Sequence, residues 1–191
     1  MLSFTDHFDV DEAAMGRIIS LALSRGGAFC DLFFEHTVLN QIVMEEGIVR
    51  EGKKSIAHGV GIRVVKGEGA GYAYTEEITP ARMKEAALTA AAIAESGSGP
   101  ASVALASASF PNRYPIEDPT TGSALARKIG LIEEAEAAAR AYDRRVVKAS
   151  VTLTDSLSTI QIATSDGALL RDVRPMVGFN VQVVAEANGT R

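Results

Sequence analysis

D-L-F-F-E-H-T-V-L-N-Q-I-V-M-E-E-G-I-V-R-E-G-K-K-S-I-A-H-G-V-G-I-R-V-V-K-G-E-G-A-G-Y-A-Y, running from Asp31 to Tyr74, decides the fold. Apolar side chains recur at every second position: Leu32, Phe34, Val38, Ile42 and Met44, then Ile56, Val60, Ile62 and Val64. A period of two belongs to a β-strand with one buried face, because successive side chains point to opposite sides. Glu46-Gly47, Glu51-Gly52 and the Gly67–Gly71 stretch interrupt the run with residues suited to tight reversals. The reading is a curled antiparallel meander that turns at all three places. Such a sheet needs cover for its apolar face, and the flanking sequence supplies it.

Upstream, Asp11 to Ser24 reads as a helix with Asp9 or Asp11 as its cap and Ala14, Ile18, Leu21 and Ala22 as its apolar stripe. Gly26-Gly27 ends it, one of the two in the left-handed conformation. Downstream, Thr79-Pro80 opens a second helix, threonine as cap and proline in the first turn. It runs to about Glu95 with Met83, Ala86, Ala87, Ala90 and Ile93 on one side, and its small side chains allow a close approach to the sheet. Ser96 to Pro100 is a flexible link. Val103–Ala108 reads as a short strand, and Pro111, Pro115 and Pro119 break regular structure after it. A third helix, about Ser123 to Tyr142, carries Leu125, Ile129, Ile132, Ala135 and Ala139 inward.

A second β-region follows. Val146–Leu153 and Ser158–Ser165 read as strands joined near Asp155, and Asp166-Gly167 as a two-residue type I′ hairpin turn with positive φ at Gly167. Ala168–Arg174 answers it, Pro175 restricts a strand edge, and Met176–Ala187 is the last strand. On that strand Val177, Phe179, Val181 and Val183 are expected to pack under the helices, and Asn188-Gly189 to turn the chain back. The sum is an α/β (α+β) fold: a two-layer sandwich of largely antiparallel β-meanders with about three helices packed on the sheet.

The 191 residues are 47% hydrophobic with a formal net charge of −5, which suits a soluble protein. The acidic balance and the lack of any Lys/Arg cluster argue against a nucleic-acid footprint. One cysteine, Cys30, permits no internal disulfide, so a cytosolic compartment is the default. No basic n-region and apolar h-region open the chain, and no apolar run approaches the length that spans a bilayer.

Chemistry is sparse. His7, His36 and His58 do not form an H-E-x-x-H pattern; His36 and His58 sit on strands where they can face one another, and His7 lies in a loose terminus. Two histidines without a third ligand are read as hydrogen-bonding strand residues rather than a metal site. Cys30 is read as a small buried hydrophobe. Gly67-Glu68-Gly69-Ala70-Gly71 follows a strand but opens another strand, so it is a hairpin turn and not a phosphate loop. Glu45-Glu46, Glu76-Glu77 and Glu133-Glu134 are neighbours whose side chains diverge, hence solvated charges. Gly59 and Gly61 lie opposite the branched residues: either a groove for an extended peptide, or a sharp twist or tight helix packing, the reading preferred here. No residue is assigned as catalytic, cofactor-binding or metal-binding.

Three stretches together resemble the N-terminal half of the TldD branch of the TldD/PmbA (modulator of DNA gyrase) family of zinc metallopeptidases. They are D-L-F-F-E at Asp31–Glu35, G-V-G-I-R-V-V-K-G-E-G-A-G-Y-A-Y at Gly59–Tyr74 followed by an I-T-P helix start, and A-T-S-D-G-A-L-L-R-D-V-R-P at Ala163–Pro175. The resemblance spans nearly the whole chain and implies that residues 1–191 are the N-terminal domain of a two-domain cytoplasmic protein. It also implies a TldE/PmbA-type partner subunit or a homodimer, and substrates that are unfolded or modified peptides. The family's zinc motif, H-E-x-x-x-H with a distant cysteine, belongs to the second domain. No position here matches it, so zinc is expected in the full-length protein and not in this fragment. The isolated chain is therefore expected to be inactive and, cut between domains, to expose apolar surface or an unpaired edge near its C-terminal strands and to self-associate there. A stand-alone, non-catalytic module that grips peptides or a protein partner along its sheet edge is the alternative. A reading frame continuing past Arg191 into H-E-x-x-x-H separates the two.

Overall fold

The computed structural model of the chain describes residues 5–94, 105–107 and 118–190. The elements are α1 (Thr5–Phe8), α2 (Glu12–Ala22), β1 (Phe29–Glu45), β2 (Ile48–Lys66), β3 (Gly69–Thr75), α3 (Pro80–Ile93), β4 (Ala106–Ser107), α4 (Leu125–Tyr142), β5 (Val146–Thr164) and β6 (Ala168–Ala185). The strands form a six-stranded sheet in the order β3-β2-β1-β5-β6-β4. β2 and β3 pair antiparallel, with Ile62 opposite Ala73, whereas β4 runs parallel to β6. The expected architecture of an antiparallel sheet with three principal helices is the one observed.

The local signals worked where the residue type leaves the backbone little choice. Asp11 caps α2 by accepting from the Ala14 N–H at 2.6 Å, and Thr79 caps α3 by accepting from the Arg82 N–H at 3.4 Å. Gly26 is left-handed, φ 87°. Glu46 and Gly47 both have positive φ, 56° and 72°, which makes the β1–β2 connection a type I′ reversal. Asn188 and Gly189 repeat that turn at the far end, closed by the Ala187–Thr190 bridge.

Three expected breaks are absent. Glu51-Gly52 does not turn; β2 passes straight through, because the reversal at Glu46-Gly47 has already aligned it with the long β1. β5 does not end near Asp155. Ala149, Val151, Leu153, Asp155 and Leu157 are all buried at a spacing of two, so Asp155 occupies an inward position of one uninterrupted strand. β6 likewise runs through Pro175, beyond the two residues of β6 that β4 covers, where a missing N–H costs no ladder bond to β4. The short strand expected at Val103–Ala108 is seen at Ala106–Ser107; Val103, Ala104 and Ala108, together with Pro111 and Pro115, lie outside the described residues.

Gly167 has φ 94°, as expected, but Asp166 does not join it at positive φ. The Gly167 N–H donates to the Thr164 carbonyl at 3.0 Å, so the turn is a type I turn closed by a left-handed glycine instead of type I′. Gly167→Val is expected to cost about 1–2 kcal/mol, the strain of a β-branched residue in the left-handed region, read as a lower urea midpoint.

The chain divides into two compact units. Unit 1 comprises Met1–His36, Ala57–Arg113 and Thr159–Val173; unit 2 comprises Thr37–Ile56, Tyr114–Ser158 and Arg174–Arg191. In unit 1 the core joins Met15, Ile18, Ile19 and Ala22 of α2, Leu32 and Phe34 of β1, Val60, Ile62 and Val64 of β2, and Met83, Ala86, Ala87 and Ala90 of α3. The alanine face of α3 comes so close to β3 that a Cβ on Gly71 would lie 2.0 Å from the Ala90 carbonyl oxygen. Ile93, expected on that face, is instead 58% exposed at the helix end.

In unit 2 the core is smaller: Ile42, Met44, Ile132, Val151 and Leu153, flanked by Ile129 and Ala135. The buried positions of α4 are Lys128, Ile132 and Glu136, a stripe at i, i+4 and i+8 carrying two charges. Leu125, expected inward, is exposed. The Lys128 ammonium donates to Asp155 Oδ2 at 2.8 Å and to the Pro119 carbonyl at 2.8 Å, and Asn40 donates to Asp155 Oδ1 at 2.8 Å. Both carboxylate oxygens of Glu136 accept from the Gly47 N–H, at 2.9 and 2.7 Å, so the helix clamps the β1–β2 turn. Neither charge announces itself as buried in the sequence.

Candidate functional site

Unit 1 brings three histidines together. Alternation places two of them: His36 follows Phe34 by two on β1 and His58 precedes Val60 by two on β2, so both sit at the end of the core-facing rows. Their Nδ1 atoms are 3.3 Å apart, one donating to the other. His7 does not lie in a loose terminus. It belongs to α1, where its ring stacks on His36 with 4.4 Å between centroids and 17° between planes. Phe8 follows it, stacked on His58 and tilted against Phe34.

These rings do not fit a metal. In-plane lone pairs of two stacked, near-parallel imidazoles cannot converge on one point, and the two facing Nδ1 atoms are already spent on each other. Among the described residues no group of three or more His, Cys, Asp or Glu side chains is arranged to hold an ion. One member of the cluster has a different property: His36 resists protonation. Burial pushes the His36 pKa below the usual imidazole value, and the neighbouring His7 and His58 push it the same way.

A base whose pKa is lower folded than unfolded stabilises the fold above its unfolded pKa, and that contribution is lost as pH falls through the folded value. The stacking of α1 on β1 and β2 is therefore expected to weaken below about pH 6.5. A histidine-resolved NMR titration should show His36 titrating below a free histidine, with the Phe8 resonances shifting over the same window. His36 titrating at or above the free value would refute the assignment.

Cys30 is fully buried, and its thiol is pushed up to about 12, by burial first and by the neighbouring Asp31 second. It stays protonated at neutral pH and serves as the small hydrophobe the sequence suggested. The two strand glycines are filled from within. A Cβ on Gly59 would lie 2.6 Å from the Thr75 carbonyl oxygen, and one on Gly61 2.5 Å from the Tyr72 hydroxyl. Their absence of side chains lets β3 and Tyr72 close onto β2, so a neighbouring strand, and not the tightly packed helix expected, fills the space. Beside them Arg63 grips Asp31 with two hydrogen bonds, at 3.0 and 2.8 Å.

Unit 2 has a surface of another kind. Met176, Val177, Phe179, Val181 and Val183 of β6 are all exposed, by 67, 65, 46, 42 and 46%. The row Val177, Phe179, Val181 and Val183 thus does not pack under helices as expected. α4 spends its apolar positions on β1 and β5, and Phe179 reaches its flank in a shallow recess with Leu131, Glu134 and Ala135. The apolar surface expected near the C-terminal strands is present. Among the described residues no helix is long and apolar enough to cross a membrane.

A mostly antiparallel sheet covered by helices, with one core in each unit, defines an α/β domain. Comparison with known proteins gives it a lineage. Residues 30–94 match the family model for the PmbA/TldA metallopeptidase domain 1, and residues 118–191 match that for the PmbA/TldA metallopeptidase central domain. The chain belongs to the PmbA/TldD metallopeptidase family. It is 33% identical over 180 residues to the metalloprotease TldD homologue of Haemophilus influenzae, covering 91% of this chain and 36% of that protein. The TldD homologue of Buchnera aphidicola from Acyrthosiphon pisum is 30% identical over 84% of this chain and 33% of its own length. The chain thus spans about a third of these relatives. Among solved structures, a proposed modulator of DNA gyrase from Bacteroides thetaiotaomicron superposes with a TM-score of 0.76 at 10% identity, over 100% of this chain and 44% of that one. TldE from Thermococcus kodakarensis gives 0.60 at 18% identity, over 92% of this chain and 40% of that one. At such identities the likeness is one of fold.

Proposed function

We propose that this chain is the N-terminal part of a TldD-like, zinc-dependent peptidase of the cytoplasm that trims unfolded or modified peptides. In this reading residues 1–191 supply a docking scaffold and contribute no ligand to the zinc, whose ligands lie in a catalytic domain outside this sequence. The observation that carries it is the apolar row on β6: four large side chains on one face of one strand, each at least 42% exposed, is more than a self-sufficient surface leaves open. That row is the surface against which the catalytic domain, or a TldE/PmbA-type partner or second copy, packs. Family membership supports the peptidase class.

The test uses the complete protein together with a TldE-type partner. Phe179→Asp with Val181→Asp should break the assembly, seen as a drop to lower mass by light scattering, and should lower chelator-sensitive hydrolysis of an unstructured peptide. The 191-residue chain alone should show no such hydrolysis. An assembly and activity indifferent to both substitutions would remove the β6 face from the proposal; zinc-dependent hydrolysis by the short chain would remove the proposal itself.

A further inference from the structure

β3 is the outermost strand of the sheet among the described residues, and α3 runs alongside it. Between them lies a groove of about 490 Å³, bordered by Ala73, Tyr74 and Thr75 of the strand and by Glu85, Ala86 and Thr89 of the helix, with Glu76, Glu77 and Arg82 at its mouth. Three features of this place bear on what it takes. An outermost strand directs backbone N–H and C=O groups sideways, and the groups that satisfy them best belong to another extended chain. The lining holds three carboxylates against one guanidinium, a formal −2, and Arg82 is already engaged by Glu77 at 3.2 Å and Glu85 at 3.1 Å. Tyr74 is 69% exposed, an aromatic face on which the stem or head of a long cationic side chain can lie.

We infer that the β3–α3 groove is a docking site for an extended peptide segment rich in lysine or arginine, which adds to the β3 edge as a further strand and sets its cationic side chains against Tyr74 and the carboxylates of Glu76, Glu77 and Glu85. The groove is rigid where it must be. At Gly71 the backbones of α3 and β3 come into direct contact, which fixes the spacing of the groove walls. Alternate side chains of the added strand point toward α3 and meet Ala86 and Thr89, which are small enough to admit them. Attraction by a −2 lining is screened by salt, so occupancy falls as ionic strength rises. The inference rests on the peptidase reading and deepens it by naming a substrate class, extended and basic.

Fluorescence anisotropy on the 191-residue chain tests it without requiring hydrolysis, using a labelled eight-residue peptide that alternates lysine and valine and a matched peptide with glutamate for lysine. The lysine peptide should bind, weaken with added salt, and bind about tenfold less well to the Glu76→Lys, Glu85→Lys double variant, an effect sized for two rim charges. Its binding should slow amide exchange along Gly69–Thr75. No binding of the lysine peptide, equal binding of the glutamate peptide, or protection confined to other strands would each overturn the assignment. So would a concentration-dependent dimer whose own β3 amides are protected without peptide, since the edge would then belong to a second copy. Because the readout is binding, a negative result here leaves the peptidase reading standing, and loss of hydrolysis in the complete protein leaves this site standing.

Discussion

Asp155→Ala is expected to destabilise unit 2 by about 3–5 kcal/mol, the cost of leaving one buried charge without its partner. The side chains of Lys128 and Asp155 are 9% and 2% exposed and meet at 2.8 Å, so water cannot take the place of the missing carboxylate. The loss spreads further, because Asn40 also loses its acceptor, and the Lys128 ammonium holds the Pro119 carbonyl from the same position. Urea unfolding followed by circular dichroism measures it. Lys128→Met with Asp155→Leu should recover most of the deficit, since an apolar pair of similar volume needs no solvation. A single substitution costing under about 1 kcal/mol would mean the pair is wet, contrary to the burial described.

The second large effect is expected at Gly71. Gly71→Val should cost about 3 kcal/mol, toward the upper end of overpacking penalties, because the obstacles are backbone atoms that cannot rotate away. The Ala90 carbonyl oxygen would lie 2.0 Å and the Ala94 nitrogen 2.6 Å from the new Cβ. Even Gly71→Ala should be costly, since the first carbon already collides. Gly52→Ala is the control: nothing lies within 4 Å of its Cβ position, so the change should stay within about 0.5 kcal/mol. Equal midpoints for the two alanine variants would show that α3 lifts from β3 without penalty.

Much of this architecture is written in residue types that restrict the backbone. Thr79-Pro80, Asp11 and Glu46-Gly47 each specify a local geometry and each is found where expected. The errors share a cause. Glu51-Gly52, Asp155 and Pro175 are breakers or polar residues whose local preference was overruled by long strands with neighbours to pair with. Lys128 and Glu136 look like the solvated face of α4. They are buried because two partners distant in sequence, Asp155 and the Gly47 N–H, complete them. The stacking of His7 on His36 was equally invisible, since it depends on where α1 folds back. The exposed β6 row was legible as apolar but not as uncovered: α4 has too few apolar positions to serve three strands.

The partition of the chain has a consequence for its synthesis. β1, β2, β5 and β6 each contribute residues to both units, and neither unit is a single continuous stretch. Cys30 at the start of β1 hydrogen-bonds through its N–H to the hydroxyl of Ser165, 135 residues later. At about 5–20 residues per second, the ribosome needs roughly 7–27 s to deliver that partner. Through that interval the β1–β2–β3 hairpins wait with the β1 side of the nascent sheet open, an edge fit to pair with a neighbouring nascent chain. The division of labour between the units is thus settled only once Ser165 has been delivered, and a holdase that shields strand edges should raise the yield of folded chain more than one that binds exposed helices.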